Sequence, residues 1–167
     1  MADVHILLAT DADWIVDEVT AALGDTDTTF TVVRDGRLVA KLVAERGADL
    51  VIADLQVGSM GGVAITMALR LDESAGVLGR VPTLILLDRT ADVYIAQRAD
   101  ADGWLIKPID ALRLRRAVNA VMAGDPYAEG VPAPIEEIDP DMAGDERTGD
   151  AGVEDSESPE SEPANAG

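Results

Sequence analysis

Three charged residues stand directly after short apolar runs: Asp11 after HILLAT, Asp54 after LVIA and Lys107 after WLI. Brought together, two carboxylates and an ammonium suit a hard divalent cation and a phosphoryl group. Mg²⁺ takes one or two carboxylates together with substrate oxygens and water, and a lysine neutralises added phosphoryl charge. Asp54 opens at once into LQVGSMGG, a stretch of small, turn-prone residues, so a buried strand ends on a carboxylate at the mouth of a loop.

Convergence of these residues requires parallel neighbouring strands, and the pattern supplies them. Residues 5–9 (HILLA), 30–33 (FTVV), 50–53 (LVIA), 83–87 (TLILL) and 104–106 (WLI) are short and largely apolar without strict alternation, as strands buried on both faces are. Helical stripes lie between them. Ile15, Val16, Val19, Ala22 and Leu23 form one, ended by Gly24; Leu38, Val39, Leu42 and Val43 form a second, ended by Gly47; Val63, Met67, Ala68 and Leu71 form a third. A weak fourth covers residues 91–99. A strong fifth runs from Asp110, an expected N-cap, through Leu114, Ala117, Val118 and Val121 to Gly124. Five strands alternating with five helices predict an α/β fold, a doubly wound five-stranded parallel sheet with helices on both faces. Ligands of such sheets bind outside the carboxyl ends of the strands, where strand order reverses, and Asp11, Asp54 and Lys107 all lie there.

The net charge of −19 divides unevenly along the 167 residues: residues 1–124 hold 18 acids and 12 bases, residues 125–167 hold 14 acids and a single base, Arg147. The expected domain is therefore residues 1–124, followed by an acidic tail rich in Pro, Gly and Ser that carries too little apolar surface to offset the entropy of ordering. Within it Ile135, Ile138 and Met142 stand among carboxylates and prolines in VPAPIEEIDPDM, a pattern compatible with a docking peptide or a solvated linker. A basic protein surface suits this tail electrostatically. Direct DNA binding is disfavoured, because phosphates repel it and no second globular unit follows Gly124 to read bases. No apolar run is long enough to span a bilayer and the N-terminus lacks signal-peptide character, so a cytoplasmic protein is expected. There is no cysteine, and hence neither a disulfide framework nor a thiolate metal site. His5, the single histidine, is expected to pack within a strand.

Taken in order, Asp11, Asp54 with LQVGSMGG, Lys107-Pro108 and FTVVRDGRLVAKL resemble the bacterial response-regulator receiver domain over roughly residues 3–123. The resemblance implies the flavodoxin-like receiver fold, with Asp54 as phospho-acceptor and Lys107 contacting the phosphoryl group. It also implies Mg²⁺ held by Asp11, Asp54 and the backbone carbonyl of Gln56, with a histidine kinase as donor. Leu87 and Trp104 fall on the two switch positions. The abundance of Ala, Val, Arg and Gly with only Lys41 and Lys107 as lysines suggests a high-GC bacterial genome.

Departures from the family pattern bear on mechanism. The acidic pair after the first strand is here Thr10-Asp11, which replaces one metal-organising carboxylate by a hydroxyl; Asp13 is either its substitute or a helix N-cap. Leu87 takes the place of a Ser or Thr and cannot hydrogen-bond a phosphoryl oxygen, unless a shift of register makes Thr90 the hydroxyl. Asp88 opposes a phosphoryl group if it points inward, and is a plain loop residue if it points outward. Trp104 is bulkier than the usual Tyr or Phe. The expected function is an atypical stand-alone receiver, not an enzyme, that acts through protein–protein interaction with Asp54 as vestigial or actual acceptor. The alternative is an accessory subunit of a larger complex with its tail laid on a partner. A small phosphatase ranks third, for want of a second positioned acid or base. Arg113, Arg115 and Arg116 on the fifth helix form an expected interface or a solvated face, and homodimerisation stays open.

Overall fold

The computed structural model describes residues 3–130. Its elements run β1 (Val4–Ala9), α1 (Asp13–Leu23), β2 (Thr28–Val33), α2 (Val39–Arg46), β3 (Leu50–Asp54), α3 (Gly62–Ser74), β4 (Thr83–Leu87), α4 (Val93–Arg98), β5 (Gly103–Ile106), α5 (Ala111–Met122) and β6 (Tyr127–Ala128). The strands form one sheet of order β2-β1-β3-β4-β5-β6, parallel throughout. Strand order reverses at β1, which pairs with both β2 and β3, so the carboxyl ends of β1 and β3 flank a crevice.

Period-2 side-chain direction sorts each apolar strand between two helical layers. Ile6, Leu8, Leu50, Ile52, Leu84, Leu86 and Leu105 face Ile15, Val19, Leu114, Ala117 and Val121 of α1 and α5. Leu7, Ala9, Val51 and Ala53 face Val39, Val43, Ile65 and Leu69 of α2 and α3. Ile85 and Leu87 close a smaller cluster with Val93, Ala96 and Trp104. Double-sided burial explains why these strands lack alternation in sequence. Asp110 caps α5 as expected, its carboxylate accepting from the Arg113 N–H at 2.9 Å. His5 packs at the sheet, its ring nitrogens 2.8 Å from Gly47 O and from Thr31 Oγ1.

Two elements differ from expectation. The expected stripe of α3 was Val63, Met67, Ala68 and Leu71, yet Ile65 and Leu69 are buried while Met67 and Leu71 are exposed. The helix carries two apolar stripes and only one can face the sheet. Its phase is set by close approach at its start: a Cβ on Gly62 would lie 2.7 Å from the Asp54 carbonyl oxygen, so the glycine brings α3 onto the end of β3. The sheet also has a sixth strand, β6, within the segment expected to be tail. Tyr127 gives that strand an apolar body, packing against the α1–α5 core, and its N–H donates to Asp102 O at 3.2 Å.

Candidate functional site

Asp54 ends β3 and is 3% exposed. Burying a carboxylate is costly unless it is paired and hydrogen-bonded, and the side chains that pair it come from other strand ends, with one backbone N–H from the loop after β3. Lys107, directly after β5, donates from Nζ to Asp54 Oδ1 at 2.5 Å. Thr10, directly after β1, donates from Oγ1 to Asp54 Oδ2 at 3.2 Å. The Gln56 N–H donates to Asp54 Oδ1 at 3.4 Å. Asp54 and Lys107, two of the three residues expected to converge, are thus in direct contact, with Lys107 held in position by its own N–H to Leu87 O at 2.8 Å.

Asp88 points inward. Its Oδ1 accepts from Lys107 Nζ at 2.8 Å and its Oδ2 from Gln56 Nε2 at 2.9 Å, so the ammonium is divided between Asp54 and Asp88. Burial alone would lower the Lys107 pKa, but the hydrogen bonds and charges of Asp54 and Asp88 outweigh it and raise the value above the ordinary 10.5. Lys107 stays charged throughout the physiological range. Leu87 is fully buried beside Val93, Ala96 and Trp104, and Thr90 lies in a short 3₁₀ turn that leads into α4, against Gly130. Neither therefore supplies a hydroxyl toward Asp54.

Asp11 accepts from the Gly58 N–H at 3.1 Å, which ties the turn after β1 to the loop after β3. Asp13 neither substitutes for the missing carboxylate nor caps α1: Ala12 occupies the N-cap position. Asp13 instead binds Arg34, whose Nη2 lies 2.5 Å from Asp13 Oδ1 and whose Nη1 donates to the Asp11 carbonyl at 2.9 Å. Arg34 thereby holds the β1–α1 turn, a role invisible in sequence because the residue lies at the end of β2. The loop after β3 has a second anchor, a hydrogen bond from the Ser59 hydroxyl to Asp35. Arg37 and Ser59 together hold the Asp35 carboxyl far below the usual carboxylate range. Trp14 stands at the mouth of the crevice with Lys107 Nζ 5.9 Å from its ring centre, a placement for which the sequence carried no expectation.

The donor set fits Mg²⁺ in kind. Asp11, Asp54 and a backbone carbonyl after β3 are hard oxygens, and three carboxylates against one ammonium leave the crevice negative. Thr10 supplies one anionic donor fewer than an acidic pair would. Among the described residues no group of three or more His, Cys, Asp or Glu is placed to hold a metal ion, so water and substrate oxygens would have to complete the coordination.

The arginines of α5 do not form one free basic patch. Arg113 pairs with Glu129 and donates to Pro108 O and Ile106 O, while Arg115 Nε donates to Ala22 O at 2.6 Å. Arg116 is exposed. Trp104 is buried in the sheet edge and donates from Nε1 to Glu129 O at 2.8 Å. Ile135 and Ile138 lie outside the described residues. Among the described residues no helix is long and apolar enough to cross a membrane.

Comparison with known proteins agrees with this geometry. The chain is 28% identical over 128 residues to the transcriptional regulatory protein CseB of Streptomyces avermitilis, covering 75% of this chain and 52% of that one. It is 32% identical over 90 residues to the nitrate/nitrite response regulator NarP of Escherichia coli, covering 54% and 40%. The chain thus spans about half the length of these curated relatives. Among solved structures, the chemotaxis response regulator CheY4 of Vibrio cholerae superposes with a TM-score of 0.62 at 23% identity, over 71% of this chain and 98% of that one. The receiver domain of histidine kinase PA1611 from Pseudomonas aeruginosa, with magnesium coordinated in its active-site cleft, gives 0.61 at 22%, over 73% and 99%. A family model described as "Response regulator receiver domain" matches residues 6–119. That match runs from β1 into α5 and takes in every strand end that builds the crevice, which places the chain in the response-regulator receiver family of two-component systems.

Proposed function

We propose that this chain is an atypical receiver whose output is set by protein–protein contact, and in which Asp54 accepts a phosphoryl group poorly. The observation that carries this reading is the position of Asp88. In the unmodified protein its carboxylate already takes a hydrogen bond from Lys107, the ammonium that would otherwise meet a phosphoryl oxygen. Phosphorylation would form a bond from an Asp54 oxygen to phosphorus as the donor's leaving group departs. The new phosphoryl charge would then share one ammonium with Asp88, and like charges at that range disfavour each other. Leu87 adds to this: a buried leucine offers no hydroxyl that could move toward the new group, so its side chain gives a phosphoryl on Asp54 no hydrogen-bonded link to the Leu87–Trp104 cluster.

Mg²⁺ would be held by Asp11, Asp54 and the Gln56 carbonyl; the magnesium-bearing cleft of the Pseudomonas receiver supports this assignment. When bound, the ion would screen negative charge on the acceptor and on an incoming phosphoryl group. The chain's own residues do the rest: Thr10 and the Gln56 N–H orient the Asp54 carboxylate, and Arg34 fixes the turn that presents Asp11. A histidine kinase fits as an occasional donor. A protein with a basic surface fits as the partner of the acidic residues 125–167. The test is intact-mass spectrometry of the protein and its Asp54→Asn variant with Mg²⁺ and a small-molecule phosphodonor. Slow, substoichiometric labelling at Asp54 supports the reading; rapid stoichiometric labelling coupled to a change of oligomeric state overturns it.

A further inference from the structure

Residues 127–130 cross the outer edge of β5 as a strap. Tyr127 and Ala128 extend the sheet in parallel register with Gly103 and Trp104. Glu129 then makes a convergent set of contacts: its carbonyl accepts from Trp104 Nε1 at 2.8 Å, and its carboxylate accepts from the Ile106 N–H at 3.1 Å and from the Tyr127 hydroxyl at 3.1 Å. The same carboxylate pairs with Arg113 through Nε at 2.9 Å and through Nη2. Gly130, at φ +65, threads a gap where a Cβ would lie 2.8 Å from Ile106 Cδ1 and 3.0 Å from Thr90 Cγ2. Backbone pairing, a carboxylate seat and a glycine-only passage read together as a docking site for an extended Tyr-x-Glu-Gly segment. This is recognition of a strand by a sheet edge, with side-chain contacts setting specificity.

The strap is joined to α5 through Gly124-Asp125-Pro126, with Gly124 at φ +87. Beneath it lies GWLI, an apolar strand whose edge would offer unpaired backbone groups if uncovered. A short strand beyond a compact hinge is the architecture that exchanges between identical chains, since every contact made within one copy can be remade between two. We propose that the outer edge of β5, with Arg113 and the Trp104 indole, is a strand-docking site that the chain fills with its own residues 127–130, and that the strap of a second copy fills it in exchange. The strap of each copy then completes the other's sheet, giving a symmetric dimer.

A charge-swap experiment on the full chain tests this, in a Trp14→Phe background that leaves Trp104 as the reporter. Arg113→Glu and Glu129→Arg each place like charges in the seat, so each alone is expected to be monomeric with solvent-shifted Trp104 emission. Mixed one to one, the partners restore opposite charges only between chains. A doubled mass by light scattering with recovery of the buried Trp104 emission is expected. A mixture that stays monomeric with Trp104 exposed overturns the proposal. The double variant, with opposite charges restored both within one chain and between copies, should match the wild-type chain in mass and in buried Trp104 emission, which shows that the fold tolerates the charge reversal. Should either single variant fail to fold, the wild-type chain serves: a fluorescent peptide of residues 125–130 should bind it at least tenfold more tightly than the same peptide carrying the Glu129→Arg change. Equal binding, or none, overturns the proposal.

Discussion

Replacing Asp88 by alanine should make Asp54 a better phosphoryl acceptor while leaving the fold little changed. The side chain is 30% exposed and accepts one hydrogen bond from Lys107 and one from Gln56, and water can take over both. A partly exposed pair of this kind contributes at most about 1 kcal/mol, which corresponds to a fall in Tm of about 2–5 °C for a domain of this size. The gain lies in the modified state. Without Asp88, the Lys107 ammonium, 14% exposed and already 2.5 Å from Asp54, can donate fully to a phosphoryl oxygen. A hydrogen bond to a charged group is worth about 1.5–3 kcal/mol, or roughly ten- to a hundredfold in labelling. The substitution also removes one of three carboxylates in the crevice and so weakens the attraction for a cation. The comparison therefore belongs at saturating Mg²⁺. The assay is the time course of a single phosphoryl adduct by intact-mass spectrometry, with Asp54→Asn as the unlabelled control and Asp88→Asn to separate charge from shape. If Asp88→Ala labels no faster than wild type with the fold intact and Mg²⁺ saturating, Asp88 does not restrain Lys107, and the reasoning behind an atypical site fails.

Other perturbations follow from the same contacts. Gly62→Ala forces a Cβ to 2.7 Å from Asp54 O and 3.1 Å from Ala53 O. Because the obstacle is backbone, the loss should sit near the upper end of the about 1–3 kcal/mol typical of overpacking; an unchanged urea midpoint would show that α3 shifts freely. Leu87→Ala empties a fully buried site between Ile85, Val93, Ala96 and Trp104 and should cost about 2–5 kcal/mol by chemical denaturation, with altered Trp104 emission; a loss well under that range would mean that α4 collapses onto the gap. Acid should release the strap. Burial pushes the Glu129 carboxyl up, but Arg113, the Ile106 N–H and Tyr127 outweigh it and hold it below its ordinary 4.5. A depressed folded value means that the contribution is fully present above pH 4.5 and is lost as pH falls through the folded value. Trp104 emission in the Trp14→Phe background should therefore shift below pH 4.5, and Glu129→Gln should abolish that transition; a transition that persists in Glu129→Gln would assign it to another carboxylate.

How far the site could be read in advance depends on where the determining contacts lie. Asp54 and Lys107 were legible because strands buried on both faces are continuous apolar runs, and a charge at the end of such a run stands out. The parallel order then brings those ends together whatever the intervening helices do. The phase of α3 was not legible, because Val63-Met67-Leu71 and Ile65-Leu69 are equally good stripes. What chose between them is the approach of Gly62 to the Asp54 carbonyl, a contact between backbone atoms rather than between side chains. The inward turn of Asp88 is set by Lys107, 19 residues later, and by the Gln56 amide, 32 residues earlier, so no local pattern encodes it. The strap was the least legible element. Tyr127 is the only aromatic residue in an acidic segment, which is a signal, but two residues of strand have no period. Glu129 looks like every other tail carboxylate until Arg113, Trp104 and Ile106 stand around it. Composition averaged over residues 125–167 therefore hid the contacts that Glu129 makes with Arg113, Trp104 and Ile106, and a change of a single charge at residue 129 should break them.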